Sequence, residues 1–350
     1  AAALTAQQVR AGAPAGNWSR NDFLQGFRFD NSGGTLHNAQ GNLIGLDIGG
    51  ATTGARIYNL STNGTNQSQF VYGLNNVPAQ NPFNINGLIA TRATGLSVSP
   101  ANDMIAVYAT DATRLVVLAY NAGSSVGTGS GAAIVGAAED ASVSFGTFTL
   151  GTAWINNTTL AAFGYNAFND RVEIYTYDVT RTGNNVTISN PTFRIAPTDT
   201  GVPNLSRFGS IAYNPNVSPF VYALSSGFDN TSAASITRIS VLNPSGWTEA
   251  QSVDFSTSLG TGRDIAIGAD RNLYIGQFAQ APGATYIDRL NLDQNGDNAV
   301  TAADIYSPNS STNYWSRSGL LPGTSFNGLD VAFTPVVVTG ACCSGVGCSQ

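Results

Sequence analysis

This sequence predicts an all-β fold, a β-propeller of about six blades, each of three to four antiparallel strands. Three observations lead there. Short apolar segments rich in β-branched and aromatic residues recur from end to end in repeats, each repeat led by a glycine-opened strand and its strands separated by turns. The composition suits many turns, with 39 glycines and abundant Asn. Hydrophobic residues make up 42% and charged residues only 10%, so a large core is available and little of the chain is committed to charge.

The clearest unit is Gly95 to Asn121, GLSVSPANDMIAVYATDATRLVVLAYN. Gly95–Ser99 is its first strand, broken by Ser-Pro-Ala-Asn-Asp. Met104–Ala109 is the second, turned by Thr-Asp-Ala-Thr, and Arg114–Asn121 is the third. Pro fixes φ and removes a donor, while Asn and Asp bond nearby backbone, so these residues end strands for local reasons. The strands are apolar on both faces, as burial between layers requires.

Taken in order, residues 1–20 are Ala-rich and form an N-terminal arm or short helix outside the core. The propeller is expected over 21–338. Its first unit is Gly26–Asp30, Asn42–Ile48 and Ala55–Ser61, with Gln69–Leu74 as a fourth, outer strand. The third unit is Gly151–Ile155, Thr159–Phe163 and Arg171–Tyr177. The fourth is Gly209–Tyr213, Pro219–Leu224 and Ile236–Leu242. The fifth is Gly262–Ile267, Asn272–Gly276 and Tyr286–Leu290. A last, incomplete unit runs from Gly328–Phe333 into Val336–Val338.

The period is roughly 50 to 70 residues, near or above that of a kelch repeat. A unit of three or four strands cannot bury its own faces; set radially, the units cover one another. Because the last unit is short, a segment between Val9 and Asp30 is expected to close the ring. Five or seven blades fit the spacing as well. A β-sandwich or β-helix is the structural alternative, and irregular spacing speaks against the β-helix.

One local motif carries chemistry. Asp293, Asn295, Asp297, Thr301 and Asp304 stand at positions 1, 3, 5, 9 and 12 of a twelve-residue loop, with the Ala299 carbonyl at position 7. A calcium ion wants six to eight oxygens, and this spacing supplies them. Val300 takes the apolar position 8. The stretch resembles the calcium loops of EF-hand and dockerin proteins, and the resemblance implies calcium as the ion. It departs at position 6, where Asn298 replaces Gly, and in following a strand, Tyr286–Leu292, instead of a long helix.

Other polar residues fall short of a site. Asp264 and Asp330 follow the leading glycine of their strands, with Ser97 and Arg28 at comparable places, so they could line a central channel. Their expected partners are turn backbone or channel water. His37 lies in a polar turn. Glu139 and Asp140 are adjacent, so a strand would turn them to opposite faces. Gly127–Gly131 is a glycine link, matching neither GxSxG nor GxGxxG.

Composition excludes several activities. All 15 basic residues are Arg, which rules out a P-loop lysine and Schiff-base chemistry. A single His precludes a multi-His zinc site, and a net charge of −6 gives no electrostatic case for nucleic acid. Glu occurs only at 139, 173 and 249. No catalytic set emerges.

No apolar run is long enough to span a bilayer. Ala1-Ala-Ala suits a mature end left by signal-peptide cleavage, and Asn-x-Ser/Thr sequons permit glycosylation. An exported, extracellular or surface protein is expected. The three cysteines, Cys342, Cys343 and Cys348, sit in a tail spanning 339–350. An odd number leaves a thiol for an intermolecular bond, with a three-thiolate metal site as the alternative. This segment resembles a Gly-Ala-Cys-Cys…Gly-x-Cys module near the C-termini of secreted planctomycete proteins. The repeats resemble secreted bacterial β-propellers through strands such as Gly95-Leu-Ser-Val-Ser-Pro100. Neither resemblance implies an activity. The expected function is a non-enzymatic structural or binding module that associates with itself through the arm and the cysteines. A carbohydrate- or peptide-binding propeller, with extracellular glycans as partner, and a hydrolase or lyase acting on a polymer are the alternatives.

Overall fold

A computed structural model describes the strands between 27 and 74, most of 93–293, positions 300 and 301, and the strands at 315–319, 342–344 and 347–349. Among the described residues there are five sheets of four or five antiparallel strands and one separate hairpin. The first sheet runs β1 (Phe27–Phe29), β2 (Leu43–Asp47), β3 (Ala55–Leu60), β4 (Gln69–Leu74). The second runs β5 (Ala93–Val98), β6 (Met104–Ala109), β7 (Arg114–Tyr120), β8 (Ile134–Asp140). The third holds β9 (Thr149–Trp154), β10 (Thr159–Asn166) and β11 (Arg171–Thr182). Both β12 (Asn185–Ile188) and β13 (Thr192–Ile195) pair with β11.

The fourth sheet is β14 (Phe208–Ala212), β15 (Val221–Phe228), β16 (Ser235–Asn243), β17 (Thr248–Thr257). The fifth is β18 (Thr261–Ile267), β19 (Asn272–Phe278), β20 (Tyr286–Asn291), β21 (Trp315–Gly319). The hairpin is β22 (Cys342–Ser344) and β23 (Gly347–Ser349). The first strands of successive sheets, β1, β5, β9, β14 and β18, pack side by side in that order. From the second sheet to the fifth, each meets the next along its face. The molecule is a β-propeller.

Alternation along each strand explains how one sheet serves two neighbours, because odd and even residues face opposite sides. On β10, Leu160 and Ala162 enter a core with Met104, Tyr108, Leu115 and Val117 of the second sheet. Their neighbours Ala161 and Phe163 enter a different core, with Ile211, Val221 and Ala223 of the fourth. A third core joins Tyr222, Leu224 and Ile239 to Ile265, Leu273 and Ile275 of the fifth. A strand between two such cores must be apolar on both faces, and β6 is buried at every position.

The turns obey the local chemistry read from the sequence. Ser99 Oγ donates to Asp103 Oδ1 at 2.7 Å and accepts from the N–H groups of Asp103 and Met104 at 3.1 and 3.0 Å. That set closes the Ser-Pro-Ala-Asn-Asp turn before β6.

Five strands extend what the repeats suggest. β8, β17 and β21 are fourth, outer strands, and in the third sheet that place is shared by β12 and β13. β21 falls between the calcium-type loop and the last expected unit, where the repeats place no strand. β1 is the innermost strand of the first sheet, so residues 27–29 do not supply an outer strand to the last. The arm 1–20, the rest of the expected closing segment, and the sixth unit at 328–338 lie outside the described residues.

Candidate functional site

The calcium-type loop is the connection from β20 to β21, the third and fourth strands of the fifth sheet. Its start is fixed by backbone. Leu292 N–H donates to Arg271 O at 2.8 Å, and Asp293 N–H donates to Asn291 Oδ1 at 3.0 Å. Leu292 and Val300 are buried in the core between the fourth and fifth sheets. The apolar position 8 is therefore an anchor, as the spacing requires.

Asp293, at position 1, is only 8% exposed. Its Oδ1 is buried and has no hydrogen-bond partner among the described residues. A buried carboxylate oxygen without a partner is costly, and a cation is the group that would satisfy it. The donor set is all oxygen, which fits a hard ion such as calcium. Thr301 is exposed. Asn295, Asp297, Ala299 and Asp304 lie outside the described residues. Among the described residues no group of three or more His, Cys, Asp or Glu is placed to hold a metal.

At the hub, the leading glycines allow the inner strands to touch. Gly95 has φ +70°, and a Cβ on it would lie 2.8 Å from Thr152 N and 2.9 Å from Gly151 Cα. A Cβ on Gly151 would lie 3.0 Å from Ile211 N on the next inner strand. Ser97 and Thr152 share a hydrogen bond of 2.8 Å across this contact, and Thr152 Oγ1 also donates to Gly95 O. Asp264 Oδ1 accepts from Ile265 N–H at 2.9 Å. The two described channel candidates thus bond strand and neighbour, as a structural role requires. Asp330, and the side chain of Arg28, lie outside the described residues, as do His37 and 127–131.

A cluster that the sequence reading missed surrounds Glu173 on β11. Its side chain is fully buried beneath the turn from β10. Oε1 accepts from Asn169 Nδ2 and Arg171 Nε, both at 2.8 Å; Oε2 accepts from Asn166 Nδ2 at 2.7 Å and Tyr175 Oη at 3.0 Å. Burial alone would raise its pKa. The bonds from Arg171, Asn166, Asn169 and Tyr175 outweigh burial and hold it below the ordinary carboxylate value. Tyr175 moves up, through burial first and then the Glu173 hydrogen bond and charge. With every donor aimed at it, Glu173 is an ionised anchor and not a proton donor.

The anchor holds the turn that carries Phe168, which is 90% exposed. Phe193 of β13 has the Arg171 guanidinium 5.6 Å from its ring and packs T-shaped against Tyr175. The signal was present as Arg171-x-Glu173-x-Tyr175, three polar-tipped residues on one strand face. Glu139 and Asp140 diverge as expected: Glu139 takes Arg114 Nη1 at 2.9 and 3.0 Å, and Asp140 Oδ1 takes Ser142.

No protein-family model and no curated protein matches this chain. Solved structures do. A chain of a nidogen/laminin complex is similar at 12% identity and a TM-score of 0.51, over 89% of this chain and 86% of that one. Hydrazine synthase of Kuenenia stuttgartiensis is similar at 10% identity and a TM-score of 0.47, over 92% and 93%. The β-propeller domain of Myceliophteria_thermophila Cps50 (Swd1) is similar at 12% identity and 0.41, over 82% and 70%. The first of these supports the fold, and only the fold.

Proposed function

We propose that this chain is an exported, non-enzymatic β-propeller, a structural or binding module outside the cell that holds one calcium ion and associates with copies of itself. The observation that carries the non-catalytic reading is the state of three acidic side chains among the described residues, Glu139, Glu173 and Asp264. Glu139 and Glu173 are each bridged to an arginine, and Asp264 is bonded to backbone. Acid–base catalysis needs a carboxyl poised to exchange a proton at the reacting atom, and these carboxylates are spent on structure.

The calcium reading rests on the unpartnered Oδ1 of Asp293 at the first position of an oxygen-rich loop. Asp293, Asn295, Asp297, Thr301 and Asp304 would hold the ion through side chains, and Ala299 through its carbonyl. The ion would supply charge neutralisation where the chain leaves the core. Self-association is favoured by the low charge of the chain, since few ions need desolvation when surfaces meet.

Two measurements test this. Thermal melting of the full chain across free calcium should show a midpoint that climbs with the logarithm of the ion. Asp293→Ala should remove that climb, and identical melting in calcium and chelator rejects the site. Light scattering and electron microscopy in native salt with calcium should show polymers. A strictly monomeric particle rejects self-association.

A further inference from the structure

The C-terminal hairpin carries information that the cysteine spacing alone does not. With three cysteines, three single bridges are conceivable. β22 and β23 pair antiparallel, with Cys342 opposite Ser349, Cys343 opposite Cys348 and Ser344 opposite Gly347. Only Gly345 and Val346 separate Ser344 from Gly347. In a hairpin with a two-residue connection, the pair that closes the turn exchanges backbone hydrogen bonds, and the next pair outward does not. Cys343 and Cys348 are that next pair. Cα atoms in such non-hydrogen-bonded pairs stand about 4.5 Å apart, inside the span a disulfide tolerates.

The alternatives fit this register badly. Cys342 and Cys343 are consecutive, so an extended strand assigns them to opposite faces. By the same alternation Cys342 belongs with Ser349, on the face opposite to Cys348.

We propose that Cys343 and Cys348 form a disulfide across β22 and β23, leaving Cys342 as the single free thiol of the chain and the one able to bond a second copy. The oxidant is a small external disulfide. One cysteine thiolate attacks it and expels a thiolate, and the other then displaces the second half from the mixed disulfide. Two protein thiols are oxidised, and one external disulfide is reduced to two thiols.

The test uses the full chain, incubated with oxidised glutathione, freed of excess reagent, denatured and labelled with a maleimide for mass spectrometry. A glutathione adduct counts as a thiol outside the bridge. Wild type should show one such thiol per monomeric chain, C342S none, and C343S and C348S two each. Two thiols in C342S, none in C343S, or three in wild type would each overturn the assignment. None in C343S would place the bridge at Cys342–Cys348.

Discussion

Glu173 illustrates what a single residue contributes in this fold. A carboxylate with no exposed surface persists because four donors surround it, Arg171 among them. Its pKa lies below the ordinary 4.5. A depressed carboxyl adds stability above its unfolded pKa, and the gain is lost as the pH falls through the folded value. Glu173→Gln should therefore cost stability at neutral pH, and the gap to wild type should narrow below about pH 4.5. Glu173→Ala should cost roughly 3 kcal/mol, the low end for a broken buried pair, because Arg171 is partly exposed and can rehydrate. Chemical denaturation at several pH values checks both; a gap that is constant with pH contradicts the ionised anchor. Half of this cluster was legible. Arg171, Glu173 and Tyr175 share a face by simple alternation, whereas Asn166 and Asn169 reach Glu173 only through the shape of the turn between strands.

Elements were legible in proportion to their burial. The inner and middle strands announce themselves because a strand between two cores is apolar at every position, as β6 is. The outer strand β12 alternates between exposed and half-buried residues, β13 is exposed over Thr192–Arg194, and β17, Thr248–Thr257, mixes polar with apolar. Such segments look like loops in one dimension. The leading glycines were visible as a pattern, but their cause, backbone contact between Gly95 and Gly151 at the hub, lies across two sheets. Long-range clasps were equally hidden. Arg181, at the far end of β11, crosses to the second sheet. Its Nη1 donates to Asp103 O at 2.5 Å and Tyr120 O at 2.9 Å, and its Nη2 to Asn121 Oδ1 at 2.8 Å. Arg181→Ala leaves those acceptors without a charged donor and should cost roughly 2 kcal/mol. Urea midpoints should fall with an unchanged m-value; a midpoint within error of wild type removes the clasp from the stability account.

At the scale of the whole molecule, the radial order of inner strands decides what the N-terminal region is worth. β1 is the innermost strand of the first sheet, paired with β2 through Phe27, Arg28 and Phe29, and it packs beside β5 of the next sheet. Removing it uncovers the edge of β2 at the hub, where unpaired backbone groups would face the neighbouring blade. Residues 1–20 precede that strand, and the proposed polymer gives them to a neighbouring copy, as a strand added to an edge or a segment laid on a surface. The two roles separate in a pair of truncations. Deleting residues 1–30 should lower the melting midpoint well beyond the roughly 2–4 °C that one kcal/mol moves a mid-sized domain. Deleting only residues 1–20 should leave the midpoint of the isolated subunit in place and abolish filaments seen by electron microscopy at equal concentration. Equal melting of the 1–30 deletion and the intact chain would show that β1 is dispensable to the ring. Filaments that persist unchanged in the 1–20 deletion would take the arm out of the joint and leave the surfaces of the blades to make it.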